Sequence, residues 1–485
     1  MIKNSSGEKA VTNVLWRLAE RFGAQGVTAI VEIILARVLD PEVFGTVALI
    51  TVFTTILQVF VDSGLGTALI QKKDADQLDF SSVFFTNLAL CMFLYLLMFF
   101  SAPTIARFYG KQDLVALTRV ASLIIIISGI KNVQQSYVSR NLLFRRFFFA
   151  TLGGTLGAAI IGIWMAYHGY GAWALVIQLV FNQAVDTLIL WLTVKWRPTK
   201  QYSFNRVKSL FSYGWKLLAS HLLDTFTADL RTLIIGKLYT NTDLAFYNRG
   251  SLFPRFLTNN TNSAINSVLL PMMAQVQDEK DRVRSMTRRA IKVSSFFVWP
   301  LMLGLAACAR PLISLLLTDK WLPSVFFLRI FCITYAFYPI HTANLNAIKA
   351  LGRSDIFLKI EIIKKIVAFA VLLITMWFGV KAMAYSLLFT SLCSQMINTW
   401  PNRKLLNYSY IDQVKDIFPS IALSVVMSLI IYPLCFLKIP NILILSIQVI
   451  AGIILYFAGA KLLRIDSLEY LKRMIIQFND KRKKS

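Results

Sequence analysis

Long apolar runs separated by short, mostly basic stretches recur along the whole chain. The runs at residues 11–39, 44–70, 80–103, 114–138, 147–167 and 172–194 are each long enough to cross a bilayer as a helix. A polar, basic segment from Lys195 to Lys208 interrupts the series. It resumes at residues 210–238, 244–276, 291–317, 325–351, 356–378, 382–400, 417–437 and 442–463. The pattern predicts about fourteen spanning helices and leaves no length for a separate soluble domain. The expected fold class is an all-α polytopic membrane protein.

Composition agrees with the pattern. Of 485 residues, 56% are hydrophobic and 16% are charged, with a mean hydropathy of +0.60. A soluble chain carries about 25% charged residues. These values exclude a cytosolic enzyme, a disordered protein and a soluble nucleic-acid binder. The net charge of +26 comes from 51 Lys and Arg against 25 Asp and Glu. Its placement assigns it a topological role. Alternate loops hold Lys72 and Lys73, then Arg140, Arg145 and Arg146, the 195–208 cluster, Lys280 to Arg289, Lys349 and Arg353, Arg403 and Lys404, and the tail at 481–484. Roughly 29 basic residues fall on that side and about 5 on the other, a positive-inside bias that puts both termini in the cytoplasm. The charge also favours anionic lipid headgroups, and nucleic acid is not needed to explain it.

Metal and nucleotide chemistry find no support. The cysteines at 91, 308, 332, 393 and 435 lie in or beside apolar runs without ligand spacing, and His168, His221 and His341 are far apart. No Gly-x-x-x-x-Gly-Lys-Ser/Thr loop is present, so the chain is not expected to hydrolyse ATP. The first apolar stretch is interrupted by Arg17, Glu20 and Arg21, which argues against a cleavable signal peptide.

The halves look duplicated. Residues 62–70 line up with 262–270, a shift that also sets Arg37 beside Lys237. Further on, Ala102-Pro103 and Arg310-Pro311 each precede a Leu-x-Arg that ends at Arg119 and Arg329. An even number of spans per half makes parallel repeats, with a substrate site expected between them.

Several stretches, in this order, resemble the polysaccharide-exporter branch of the multidrug/oligosaccharidyl-lipid/polysaccharide flippase superfamily, the Wzx-type O-antigen and colanic-acid exporters. They are the segments at 35–45 (LARVLDPEVFG), 61–71 (VDSGLGTALIQ) and 169–175 (GYGAWAL), Trp196-Arg-Pro198, Ile235-Gly-Lys237 with Ala245-Phe-Tyr247, Lys320-Trp-Leu-Pro323 and Ala350-Leu-Gly-Arg353. The resemblance fades over the last two spans. It implies two pseudo-symmetric six-helix bundles in a V shape plus a C-terminal helix pair, here divided as 1–200, 201–405 and 406–485, the last part with a basic cytoplasmic tail. It implies movement of undecaprenyl-diphosphate-linked oligosaccharide between leaflets of the bacterial inner membrane, with the lipid-linked oligosaccharide, membrane lipids, a polysaccharide polymerase and chain-length machinery as partners. It supplies no catalytic residues and no cofactor beyond a coupling proton or sodium ion.

Polar residues inside the spans carry the remaining signal, because an ionisable side chain at bilayer depth normally faces a cavity or a partner. Arg17, Arg21, Gln25, Thr28 and Glu32 share one face of the first span. Lys216, Ser220, Asp224, Thr227 and Arg231 do so in the seventh, with His221 and Asp229 beside them. The eighth offers Asn248, Arg255, Asn259, Asn262 and Asn266, with Arg255 beside Pro254, a point for a helix break; the second offers Thr51, Thr55, Gln58 and Asp62. Four stripes on related helices are expected to surround one wet cavity. Arg17, Arg21, Lys216, Arg231 and Arg255 suit a diphosphate, since guanidinium forks hold phosphate oxygens and keep their charge. Asn259, Asn262 and Asn266 suit sugar hydroxyls. Glu32, Asp62, Asp224, Asp229 and His221 are the candidates for coupling a proton or sodium ion.

Plainer roles stand beside these. Arg17 and Arg21 can snorkel to headgroups, Arg231 can pair with Asp229 or Asp224, and Asn262 and Asn266 can bond helix to helix. Glu361, Lys364 and Lys365 read as an ion pair on the cytoplasmic side. The alternative functions are a multidrug exporter or a lipid II flippase of the same superfamily. A polysaccharide polymerase is disfavoured because every periplasmic loop is short and none carries a catalytic set.

Overall fold

The computed structural model describes residues 16, 23–62 and 64–470. Among these residues the chain is helical, with no strand. The helices are α1 (23–38), α2 (Pro41–Asp62), α3 (Leu65–Gln71), α4 (Gln77–Tyr109), α5 (Leu114–Ala121), α6 (Leu123–Arg140), α7 (Phe144–Tyr167), α8 (Ala172–Thr193), α9 (Phe204–Leu238) and α10 (Asn241–Ala274). They continue as α11 (Lys280–Ala307), α12 (Ala309–Leu317), α13 (Ser324–Ala336), α14 (Tyr338–Ala350), α15 (Ser354–Thr375), α16 (Val380–Leu406), α17 (Tyr410–Ile431) and α18 (Asn441–Leu462). Nine stretches among the described residues are long and apolar enough to cross a membrane. Helices α9 and α10 fall outside that number although they run 35 and 34 residues, because they bear the polar stripes.

Four expected spans are built from two helices each: α2 with α3, α5 with α6, α11 with α12, and α13 with α14. The first break is forced at Gly64, whose φ of 84° suits glycine. A Cβ there would lie 2.6 Å from the Gly214 carbonyl oxygen of α9, so two glycines let the backbones touch. By contrast α10 runs unbroken through Pro254 and Pro271, contrary to the break expected at Pro254. Gly250, whose carbonyl loses its helical partner to Pro254, is packed directly on Phe327 and Leu328 of α13, and this support keeps the helix on course.

The chain divides into two compact units, Met1–Ala245 and Phe246–Ser485. In the first, α7 packs on α8 through small residues: a Cβ at Gly154 would sit 2.9 Å from the Asn182 carbonyl oxygen. The segment read as a polar interruption folds back onto α4 and α6. Trp196 donates its indole N–H to Gln77 at 2.7 Å, Gln134 donates to the Trp196 carbonyl at 3.0 Å, and Trp196 is buried among Phe80, Phe84 and Tyr137. Asp79, fully buried, takes Lys72 at 2.6 Å and Arg206 at 3.3 Å.

In the second unit α17 lies along α11, pinned by Arg288, which holds both carboxylate oxygens of Asp416 at 2.6 and 2.8 Å. A buried amide cluster joins α14, α16 and α17: Asn344 and Gln413 exchange hydrogen bonds at 2.9 Å, and Asn402 donates to Asn344 at 2.7 Å. Tyr456 of α18 donates to the Phe296 carbonyl at 2.7 Å. Exposed Phe93, Phe100, Ile160, Leu192, Ile366 and Ile454 give the helices the apolar exterior that a membrane protein presents to lipid.

Candidate functional site

A cavity of about 580 Å³ opens within the first unit. Its walls are Thr54, Thr55 and Gln58 of α2, Thr67 of α3, Ser128, Lys131 and Gln135 of α6, Gln183 of α8 and His221 of α9. The break at Gly64 helps shape it, since Gly64 lines it as well. Hydroxyls and amides dominate this wall, although the helices that supply it are otherwise apolar. Such groups are set up to bond a hydroxyl-rich ligand and bring little fixed charge.

One charge pair stands in that wall. Lys131 Nζ lies 2.7 Å from Asp186 Oδ2 and 3.2 Å from Gln183 Oε1, and Gln183 in turn donates to Ser128 Oγ at 2.6 Å. Trp191 holds α8 to α6 beside the pair by donating to the Ile130 carbonyl at 3.2 Å. Sequence reading missed both charged residues. A signal existed: Lys131 is the sole charged residue between Arg119 and Arg140, and Asp186 the sole one between Arg146 and Lys195. Each is the one charge in that stretch, with only uncharged side chains at helical spacing from it: Ser128 and Gln135 for Lys131, Asn182 and Gln183 for Asp186.

The residues expected from sequence are distributed as follows. His221 lines the cavity together with Thr55 and Gln58 of the second-span stripe. Asp224 is exposed on α9, Asp229 and Arg231 are half-buried on the same helix, and Glu32 is half-buried on α1. In the second unit Arg255 is exposed on α10, with the phenols of Tyr335, Tyr338 and Tyr247 nearby. Asn259 is exposed, Asn266 accepts from Asn346 at 2.8 Å, and the side-chain oxygen Oδ1 of Asn262 is buried with no hydrogen-bond partner among the described residues. Arg17 and Arg21, and the side chains of Asp62 and Lys216, lie outside the described residues. The ion pair expected on α15 is present, with Lys364 Nζ 2.6 Å from Glu361 Oε1. No cluster of metal-ligating side chains occurs among the described residues.

Comparison with known proteins places this geometry. The family model described as "Polysaccharide biosynthesis protein" matches residues 34–326. Over 315 residues the chain is 27% identical to the succinoglycan biosynthesis transport protein ExoT of Rhizobium meliloti (strain 1021), covering 64% of each. It is 25% identical over 308 residues to the teichuronic acid biosynthesis protein TuaB of Bacillus subtilis (strain 168), covering 62% of this chain and 63% of that one. The alignments therefore span somewhat under two thirds of these relatives. The lipopolysaccharide biosynthesis protein WzxC of Escherichia coli (strain K12) is 21% identical over 394 residues, 81% of this chain and 80% of that one. Among solved structures, the lipid II flippase MurJ in an inward closed conformation superposes with a TM-score of 0.75 at 16% identity, covering 94% of this chain and all of that one. An inward-facing multidrug resistance MATE transporter of the MOP superfamily gives 0.61 at 14% identity, covering 81% and 94%. With its family model matched across more than half its length, the chain belongs to the polysaccharide biosynthesis proteins and has the MOP superfamily fold.

Proposed function

We propose that the chain is a flippase, not an enzyme, that carries a lipid-linked oligosaccharide across the bacterial inner membrane by ion-coupled alternating access. The observation that carries this reading is the cavity walled by hydroxyls and amides inside a bundle of apolar helices. A drug exporter has no use for such a wall, whereas a carrier of sugar hydroxyls needs one. Family membership and the transport function named for ExoT support the cargo class. The basic side of the chain, with both termini, faces the cytoplasm.

In this reading the polyprenyl tail stays in lipid while the headgroup enters the protein. Arg17, Arg21, Lys216, Arg231 and Arg255 hold the diphosphate, and Asn259, Asn262 and Asn266 meet sugars. Glu32, Asp62, Asp224, Asp229 and His221 remain the candidates proposed from sequence for the coupling ion. The test is reconstitution: purified chain in vesicles carrying a fluorescent polyprenyl-diphosphate oligosaccharide in one leaflet, with a membrane-impermeant quencher outside. Accelerated exchange between leaflets is expected. Exchange no faster than in protein-free vesicles removes the flippase reading, and restored efflux of cationic dyes in its place moves the chain to the drug exporters.

A further inference from the structure

Lys131 and Asp186 are each about nine-tenths buried, with their charged heads 2.7 Å apart. Lys131 lines the cavity, so its other face is open to a ligand. Asp186 is satisfied on one side only. Its Oδ2 accepts from Lys131, while Oδ1 is buried and has no hydrogen-bond partner among the described residues. Buried carboxylate oxygens are normally filled by donors. An oxygen without one can take up a proton with no hydrogen bond lost.

We propose that this pair links uptake of one proton to the binding of one anionic group, a phosphate or a sugar carboxylate, in the cavity. The proposal rests on the flippase reading for the use to which the linkage is put. The proton adds to Asp186 Oδ1 and makes a neutral acid. Lys131 loses its counter-charge, and the anion takes that place at Nζ. The wall is neutral before, as ammonium and carboxylate, and neutral after, as ammonium and bound anion beside a carboxylic acid. Neither half-step stands alone. The anion without the proton sets two negative charges against one ammonium, and the proton without the anion leaves a buried positive charge unpaired. Each event therefore promotes the other, and loss of the proton lets Asp186 reclaim Lys131 and expel the anion.

The surroundings leave this role to the pair. Among the described residues, the titratable groups that approach it from neighbouring helices are His221 of α9, in the same cavity, and Cys91 of α4, packed against Gly129. Helices α2 and α3 present hydroxyls and an amide, α7 presents Gly154 to the Asp186 Cβ, and α5 turns Arg119 to the Phe99 carbonyl.

Calorimetric titration of the full chain in detergent tests the linkage, using farnesyl diphosphate and, separately, glucuronate, each in buffers of different ionisation heat. One proton is expected to be taken up per anion bound, with affinity falling about tenfold per pH unit where Asp186 carries its charge. The probe that binds identifies the anion as phosphate or as carboxylate. D186N, whose amide oxygen still accepts from Lys131, is expected to bind without proton uptake and without pH dependence. K131Q loses at least tenfold in affinity, H221Q keeps the uptake, and K131Q/D186N elutes as the parent does on size exclusion yet neither binds nor takes up a proton. Infrared difference spectra on anion binding should show a carboxylic acid band in the parent that D186N lacks. Unchanged proton uptake in D186N, its loss in H221Q, full binding by K131Q, absence of the acid band or failure of the parent to bind either probe each overturns the linkage. If the linkage holds while leaflet exchange fails, the site stands and the flippase reading falls.

Discussion

Arg119 and Arg329 make the same bond at equivalent points of the two units. Arg119 Nε donates to the Phe99 carbonyl at 3.2 Å with its guanidinium 4.1 Å over the Phe99 ring. Arg329 Nε donates to the Ala306 carbonyl, also at 3.2 Å, with its guanidinium 5.0 Å over the Tyr432 ring. The offset of 329 − 119 = 210 also sets Lys131 on His341, and the offset of 379 − 171 = 208 between two positive-φ glycines sets Gln183 on Ser391. Lys131 meets Gln183 at 3.2 Å and His341 meets Ser391 at 3.4 Å. The repeat seen in sequence thus extends to polar contacts inside each unit. The carboxylate does not repeat: Asp186 falls on Ser394.

If the two arginines are equivalent structural clamps, their removal should cost alike. Arg119→Ala and Arg329→Ala are each expected to destabilise by about 1–3 kcal/mol, the range for a hydrogen bond from a charged group with a cation–π contact added. Thermal unfolding in detergent should show two similar drops, with the lysine variants between parent and alanine. The double variant should show their sum, since the two sites lie in separate units and share no partner. A neutral Arg119→Ala beside a costly Arg329→Ala would break the equivalence.

Close packing gives a second test. A Cβ at Gly129 would sit 2.5 Å from Cys91 Sγ, which is fully buried. Gly129→Ala is therefore expected to destabilise by about 1–3 kcal/mol through overpacking of α6 on α4. Adding Cys91→Ala removes the sulfur that the new methyl meets and should restore part of the loss. The non-additivity in melting midpoint measures that contact, and strict additivity would show that α6 strain arises elsewhere.

The helix pattern was legible because lipid accepts only long apolar runs with their hydrogen bonds closed internally. The same averaging hid the breaks at Gly64 and between α13 and α14, since a kink leaves hydropathy unchanged. It hid the folded 195–203 segment too. Trp196 buries its ring only because Gln77 and Gln134 arrive from distant helices. Of the candidate residues, the sequence brought out His221, Gln58 and Thr55 of the cavity through their stripes. Lys131 and Asp186 escaped because 55 residues separate the two partners, and the polar side chains at helical spacing from them, Ser128 and Gln135 on α6 and Gln183 on α8, carry no charge.

Asp76 caps α4 and carries a pH prediction. Its side chain accepts from the Asp79 N–H at 2.9 Å, and Asp79 reaches back to the Asp76 N–H at 3.2 Å. That backbone bond, with Arg206 beside it, holds the Asp76 carboxyl below its ordinary value of 3.8 against a smaller opposing effect of burial. The folded value is the lower one, so the ionised form favours folding. Its stabilisation is full above the ordinary value and disappears as pH falls through the folded value. Asp76→Asn keeps a cap but no charge; its deficit against the parent should be visible at neutral pH and vanish on acidification. Asp76→Ala should cost about 1 kcal/mol more broadly, by loss of the cap itself. A deficit for Asp76→Asn that grows as pH falls would contradict the sign.

Arg255 separates transport from folding most cleanly. It lies in α10 beside Pro254, close to Tyr335, Tyr338 and Tyr247. No carboxylate is among these neighbours, so its charge is left for an anionic ligand, with the phenols orienting the fork. Arg255→Ala should abolish surface polysaccharide in cells that depend on this chain, while membrane abundance stays at the parent level. Arg255→Lys retains the charge but loses bidentate geometry, and should support export at a reduced rate. Tyr335→Phe removes the orienting hydroxyl alone and is expected to lower export by less than Arg255→Ala. Normal surface polysaccharide from Arg255→Ala at normal protein level would take Arg255 out of the substrate path.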